Sequence, residues 1–173
     1  MDNRHIRKPL RILQWNANGV RREALEFAQL LITEHIDIAL ISETKLHPEA
    51  IWRIPNYDVY RNEGPTRGHG GTAVIVKHTI SHYPTTIDGL ENIQLTAIEI
   101  FSPPRQFTIG AVYIPPRKDL LNSDLDIMTR HSDNFIYGGD FNAKSPTWNS
   151  RTTNRKGQRL LRHSDDEGYE IIG

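Results

Sequence analysis

The apolar residues of this chain come in short runs in which β-branched side chains dominate, and that pattern limits the fold more than any other feature. Such runs read as strands, here over residues 10–15, 36–41, 72–76, 95–100, 107–113 and 134–137. Two stretches, 36–41 and 110–114, are nearly continuous apolar segments, which suits central strands covered on both faces. Residues 94–100 instead alternate, so one buried face is expected there. Between the first two runs, residues 21–34 place Leu25, Ala28 and Leu31 at helical spacing. Strand–helix–strand implies a parallel pair. Further helices are expected over 119–130, where Leu121, Leu125 and Met128 share a face, and over 158–167. Loops are expected at Pro55-Asn56, 61–71, Pro103-Pro104 and Pro115-Pro116.

Successive strands with short turns fill the middle of the chain, and few helices accompany them. The expectation is an α/β fold: a two-sheet β-sandwich flanked by helices. Residues 1–9 read as an N-terminal extension and 10–173 as one domain. At the far end, Tyr169-Glu170-Ile171-Ile172 looks like the beginning of another strand. A sheet stopping there would present an unpaired edge, so the domain is expected to be incomplete at its C-terminus.

A length of 173 residues suits one domain with a real core. Lys and Arg number 21 and so do Asp and Glu, so no basic surplus advertises a nucleic-acid partner. A local basic stripe beside acidic groups gathered around a metal remains compatible with that balance. Cysteine is absent, which excludes a disulfide framework and a thiolate zinc site and fits a reducing, intracellular setting. The opening MDNRHIRKPLRI lacks the apolar run of a signal peptide, and no stretch has the apolar length of a membrane span.

Three strand ends carry polar residues that a core has no use for. They are Asn16-Ala17-Asn18-Gly19, Ser42-Glu43-Thr44-Lys45 and Gly138-Gly139-Asp140-Phe141-Asn142. Sites in open α/β sheets form at the carboxyl ends of parallel strands. Each piece alone has an ordinary reading: Asn18-Gly19 as a turn, Glu43 as a solvated acid, Asp140 as a turn or cap residue. Together, Asn16, Glu43, Asp140 and Asn142 supply hard oxygens and amides from separate strand ends. Few carboxylates with many oxygens suit Mg²⁺, which keeps several waters and completes its shell with phosphate.

Five motifs in order carry a specific resemblance. They are Leu13-Gln14-Trp15-Asn16-Ala17-Asn18-Gly19, Ile41-Ser42-Glu43-Thr44-Lys45, Gly70-Gly71-Thr72-Ala73-Val74, Val112-Tyr113-Ile114-Pro115-Pro116 and Gly138-Gly139-Asp140-Phe141-Asn142-Ala143. This series resembles the exonuclease–endonuclease–phosphatase superfamily, whose fold is DNase I-like. With Lys144-Ser145-Pro146-Thr147-Trp148-Asn149-Ser150 it is similar to the apurinic-type endonuclease domain of non-LTR retrotransposons. The resemblance implies that Asn16 and Glu43 form the metal-site pair, with Glu43 the direct ligand. It implies that Asp140 orients or deprotonates the attacking water, with Asn142 its partner, and that Tyr113 contacts the scissile phosphate. Asn18 and Lys45 beside these motifs are expected phosphate contacts. The implied cofactor is Mg²⁺, with Mn²⁺ as the alternative. The implied reaction nicks DNA to leave a 3′-hydroxyl that primes reverse transcription by a domain of the same polyprotein, in the nucleus.

The family's closing Ser-Asp-His motif has no counterpart, since none of the eight histidines follows a Ser-Asp pair. His163-Ser164-Asp165 runs the letters backwards, and the histidines read as scattered surface residues. Without that motif the chain is expected to be catalytically impaired. Candidate DNA contacts are Arg61, Arg67 and His69, then Lys144, Arg151, Arg155 and Lys156 after the Asp140 motif, with Trp148 either a wedge or a core residue. Two other functions stay open: a phosphatase or phosphodiesterase of the same superfamily, and an inactive relic that binds DNA or nothing.

Overall fold

A computed structural model describes residues 9–64 and 69–173. Residues 1–8 of the expected 1–9 extension, with His5, and Arg67 in the glycine-rich loop lie outside the described residues. Among the described residues, eight strands and three α-helices follow in the order β1 (Ile12–Asn16), α1 (Ala24–Thr33), β2 (Ile38–Ser42), β3 (Tyr57–Asn62), β4 (Thr72–Lys77), β5 (His82–Thr85), β6 (Gln94–Ser102), β7 (Arg105–Tyr113), α2 (Asn122–His131), β8 (Phe135–Asp140) and α3 (Arg155–Glu167). They form two four-stranded sheets, ordered β1-β2-β4-β3 and β5-β6-β7-β8. The expected sandwich is what the chain builds.

The layering follows from the period of the strands. On β2, Ile38 and Leu40 point into the space between the sheets and meet Val74 and Val76 of β4 and Ile98, Ile100, Ile109 and Ala111 of the second sheet. Ala39 and Ile41 point the other way, onto Phe27 and Leu31 of α1. That double cover buries all five residues of β2, as its apolar run foretold. On the outer face of the second sheet, Val112 and Ile114 pack with Leu125 and Met128 of α2 and Leu160 of α3.

Several expectations are corrected. On α1 the expected Ala28 and Leu31 do face the core, together with Phe27, while Leu25 is 84% exposed and lies off the stripe. Strand β6 is buried on both faces from Thr96 to Ile100. Its Glu99 is covered, accepting from the hydroxyl of Thr108 at 2.7 Å and paired with His131 at the end of α2 at 3.3 Å. Strands β3 and β5 were not foreseen. Both are sheet edges, and β5 holds Pro84, which an edge strand tolerates because one ladder side is unused. The Gly138-Gly139-Asp140 motif continues β8 instead of following it.

Residues 169–172 form no strand. Gly168 ends α3 in the left-handed conformation. The chain then folds back: the Tyr169 ring packs against Phe135 and His163, and Ile171 joins the outer cluster. This tail lines a cleft of about 640 Å³ with β8 and with Ile12, Gln14 and Leu40. The histidines are not all surface residues either, for His163 is 5% exposed and the His82 side chain 6%. No helix among the described residues is long and apolar enough to cross a membrane.

Candidate active site

Each sheet contains one parallel pair, and the carboxyl ends of the two pairs meet. In the first sheet, β1 and β2 run parallel with Asn16 opposite Ser42. In the second, β7 and β8 run parallel with Tyr113 opposite Asp140. A buried hydroxyl joins them. Ser42 Oγ donates to the carbonyl of Val112 at 2.8 Å and accepts the backbone N–H of Asp140 at 3.0 Å. Within the second sheet, β7 and β8 lie so close at this point that a Cβ added to Gly139 would stand 1.9 Å from the carbonyl oxygen of its ladder partner Val112.

Asn16 is the hub of the polar cluster. Its Nδ2 donates to Glu43 Oε1 at 3.0 Å and to Asp140 Oδ2 at 2.7 Å, and its Oδ1 accepts the backbone N–H of Asn18 at 3.0 Å. Glu43 also pairs with Lys45 Nζ at 3.0 Å, and Lys45 in turn donates to Asn18 Oδ1. The other carboxylate oxygen of Asp140 accepts the backbone N–H of Asn142 at 2.8 Å, and Asn142 Nδ2 donates to the Ile114 carbonyl at 2.9 Å. Tyr113 is 6% exposed. Burial pushes its phenol above the ordinary range, and the charges of Glu43 and Asp140 push the same way. The phenol therefore stays protonated and remains a donor at neutral pH.

The backbone at the site is unusual. Asn18, Glu43, Lys45 and Asn142 all have positive φ, between 46° and 55°. For Glu43 and Lys45 that conformation carries strain of about 1–2 kcal/mol each. Main-chain bonds hold it in place: Lys45 N–H to the Gly70 carbonyl at 2.9 Å, and Gly19 N–H to the Glu43 carbonyl at 2.8 Å. Non-glycine residues in this region concentrate where function over-determines the backbone.

Of the five residues expected to carry catalysis, Asn16, Glu43, Asp140 and Asn142 stand in one hydrogen-bonded network extended by Asn18 and Lys45, and Tyr113 lies beside it as the ladder partner of Asp140. The donor set fits a divalent cation. Glu43 presents a carboxylate oxygen that an ammonium group already occupies as a cation would, and the surrounding groups are hard oxygens and amides. The outlying basic residues divide. Lys144, Arg151 and Arg155 are exposed. Arg61 is committed elsewhere, paired with Glu63 at 2.9 Å and donating to the Ala50 carbonyl at 2.7 Å. Lys156 is buried. Trp148 is half-buried with its indole N–H donated to the Ala143 carbonyl at 3.1 Å, so it packs as a core residue.

Away from the site, Asp126, His163 and Glu167 bring possible ligand atoms within 4.8 Å of one another. Both ring nitrogens of His163 are already engaged, one by Asp126 and one by the Tyr169 hydroxyl, each at 3.0 Å. The group reads as a contact that fastens α3 to α2. Ser42 and Asn154 were missed as site residues by sequence reasoning. Ser42 stood inside a quoted motif, but nothing local says its hydroxyl turns toward another sheet.

Residues 13–170 match the family model described as the Endonuclease/Exonuclease/phosphatase family. The chain is 31% identical over 165 residues to the RNA-directed DNA polymerase from mobile element jockey of Drosophila melanogaster, covering 94% of this chain and 18% of that protein. It spans under a fifth of the length of the curated relatives it matches. Among solved structures, it is similar to the endonuclease domain of TRAS1, a telomere-specific non-LTR retrotransposon. The TM-score is 0.76 at 24% identity, over 95% of this chain and 74% of that one. The AP endonuclease LMAP from Leishmania major has the same fold, with a TM-score of 0.66 at 13% identity, over 90% and 66% of the two chains.

Proposed function

Since the chain belongs to the Endonuclease/Exonuclease/phosphatase family, we propose that it is the DNA-nicking endonuclease domain of a non-LTR retrotransposon. One observation carries the reading. Asn16, Glu43, Tyr113 and Asp140, from four strand ends and as much as 124 positions apart, converge on one polar cluster. The named relatives, a mobile-element polymerase and a retrotransposon endonuclease domain, supply the biological setting.

The proposed reaction is hydrolysis of a phosphodiester by in-line attack of water. Asp140 orients that water and takes its proton, its own direction set by Asn16 Nδ2 and the Asn142 N–H. The Tyr113 phenol, held protonated, donates to a phosphate oxygen as charge builds there. Lys45 and Asn18 contact the phosphate, with Lys144 and Arg155 on the neighbouring DNA backbone. A divalent cation, Mg²⁺ or Mn²⁺, held by Glu43 with Asn16 beside it, would neutralise phosphate charge and ease departure of the 3′ oxygen. The product carries a 3′-hydroxyl, and a reverse transcriptase domain of the same polyprotein extends it. The substrate is then chromosomal DNA in the nucleus, reached by an intracellular protein.

The test is conversion of supercoiled plasmid to open circles in Mg²⁺, with end-labelling to identify the 3′ terminus. Phosphate release from an inositol phosphate, with the plasmid left closed, would replace the endonuclease reading by the phosphatase one. DNA binding with neither activity would make the chain a relic.

A further inference from the structure

Two loops carry the reacting groups: residues 113–116 leave β7 and residues 140–144 leave β8. The first turn of α3 touches both. Asn154 Nδ2 donates to the Asn142 carbonyl at 2.8 Å, while its Oδ1 accepts the N–H groups of Lys144 at 3.0 Å and Gly157 at 2.8 Å. Two positions on, Lys156 Nζ donates to the carbonyls of Pro115 at 2.9 Å and Pro116 at 3.3 Å. Lys156 is only 8% exposed, an unusual place for a lysine unless its donors are used. The helix also sits hard against the second loop: a Cβ at Gly157 would stand 1.9 Å from the Lys144 carbonyl oxygen.

We infer that Asn154 and Lys156 are positioning residues for the proposed nuclease reaction, clamping the Asp140–Asn142 loop and the loop after Tyr113 to one rigid helix end. The inference rests on the nuclease reading and adds to it the device that fixes the spacing of its parts. Neither side chain touches the reacting groups. Asn142 receives the clamp on its carbonyl and passes it on, through its N–H to Asp140 and through its amide to Ile114. The ladder already pairs Tyr113 with Asp140, so what the helix end fixes is the course of the two loops that leave them, and with it the position of Asn142. Burial lowers the pKa of Lys156, and the charges of Asp119 and Asp140 act against that.

Asn154→Asp separates the clamp from helix capping. Aspartate keeps the oxygen that caps Lys144 and Gly157 N–H and is as good an N-cap, but it loses the donor to Asn142. Plasmid nicking by the intact protein in Mg²⁺ should show kcat reduced about 10- to 100-fold, the loss a misplacement near 1 Å produces, with KM for DNA within about twofold. The thermal midpoint should stay within a few degrees. Lys156→Met should lose turnover similarly and Lys156→Arg, which retains donors for both carbonyls, should recover most of it. Wild-type turnover in folded N154D, or losses that follow only the unfolded fraction in all three variants, would overturn the positioning role. A folded wild-type protein that leaves plasmid closed would overturn the nuclease reading, and this inference with it.

Discussion

Ser42 and Asp140, 98 positions apart, are joined by a hydrogen bond from the Asp140 N–H to a fully buried hydroxyl, and the same hydroxyl donates to Val112 of the strand between them. One oxygen thereby ties the first sheet to the second at the point where the polar cluster begins. Ser42→Ala should leave a buried N–H and a buried carbonyl without this partner. The expected cost is about 1–3 kcal/mol, read as a lower midpoint in denaturant with an unchanged slope. Nicking should fall too, because the backbone that carries Asp140 loses its anchor. A midpoint like that of wild type would show that water replaces the hydroxyl without loss.

Asp140→Ala tests the chemistry more directly. If Asp140 takes the proton of the attacking water, its removal should lower turnover about 10²–10⁴-fold, the usual worth of general-base assistance. DNA affinity in a binding assay should change little, since the cluster loses one anionic acceptor and no phosphate donor. Full cleavage at saturating DNA and Mg²⁺ would assign the base elsewhere.

The sequence was most readable where hydrophobic period and motif pointed the same way. The continuous run over 36–41 placed β2 in the centre of the sandwich, and the polar ends after β1, β2 and β8 located the cluster. It was less readable at edges. Tyr57–Asn62 and His82–Thr85 carry mixed patterns because one side of each strand meets solvent, so their polar residues resemble loop residues. On α1 only Leu25 was misjudged, because it is apolar yet exposed beside the buried stripe, as are Leu30 and Ile32. Long-range partners were invisible. Nothing near Ser42, Asn154 or Lys156 in sequence announces that each reaches another loop or strand, 10 to 98 residues away, or that Glu99 is buried under His131. The residues 169–172 looked strand-like from β-branched content alone, but Tyr169 packs back onto Phe135 and His163 and Ile171 onto the outer cluster, leaving Ile172 exposed.

Alkaline pH should destabilise the fold in a defined window. Burial is the leading cause that raises the phenol pKa of Tyr57, Tyr60, Tyr113, Tyr137 and Tyr169, with Tyr169 pushed up to about 12. Above the ordinary value near 10 the unfolded chain loses these protons while the native state keeps them. The native state then binds more protons, so stability falls as pH rises from about 10. Lys156 works the other way, since its lowered pKa relieves a burial penalty as pH rises toward its ordinary value, but it is one group against five. Unfolding midpoints from pH 8 to 12, beside tyrosinate absorbance, check this. Stability constant to pH 12 would contradict it.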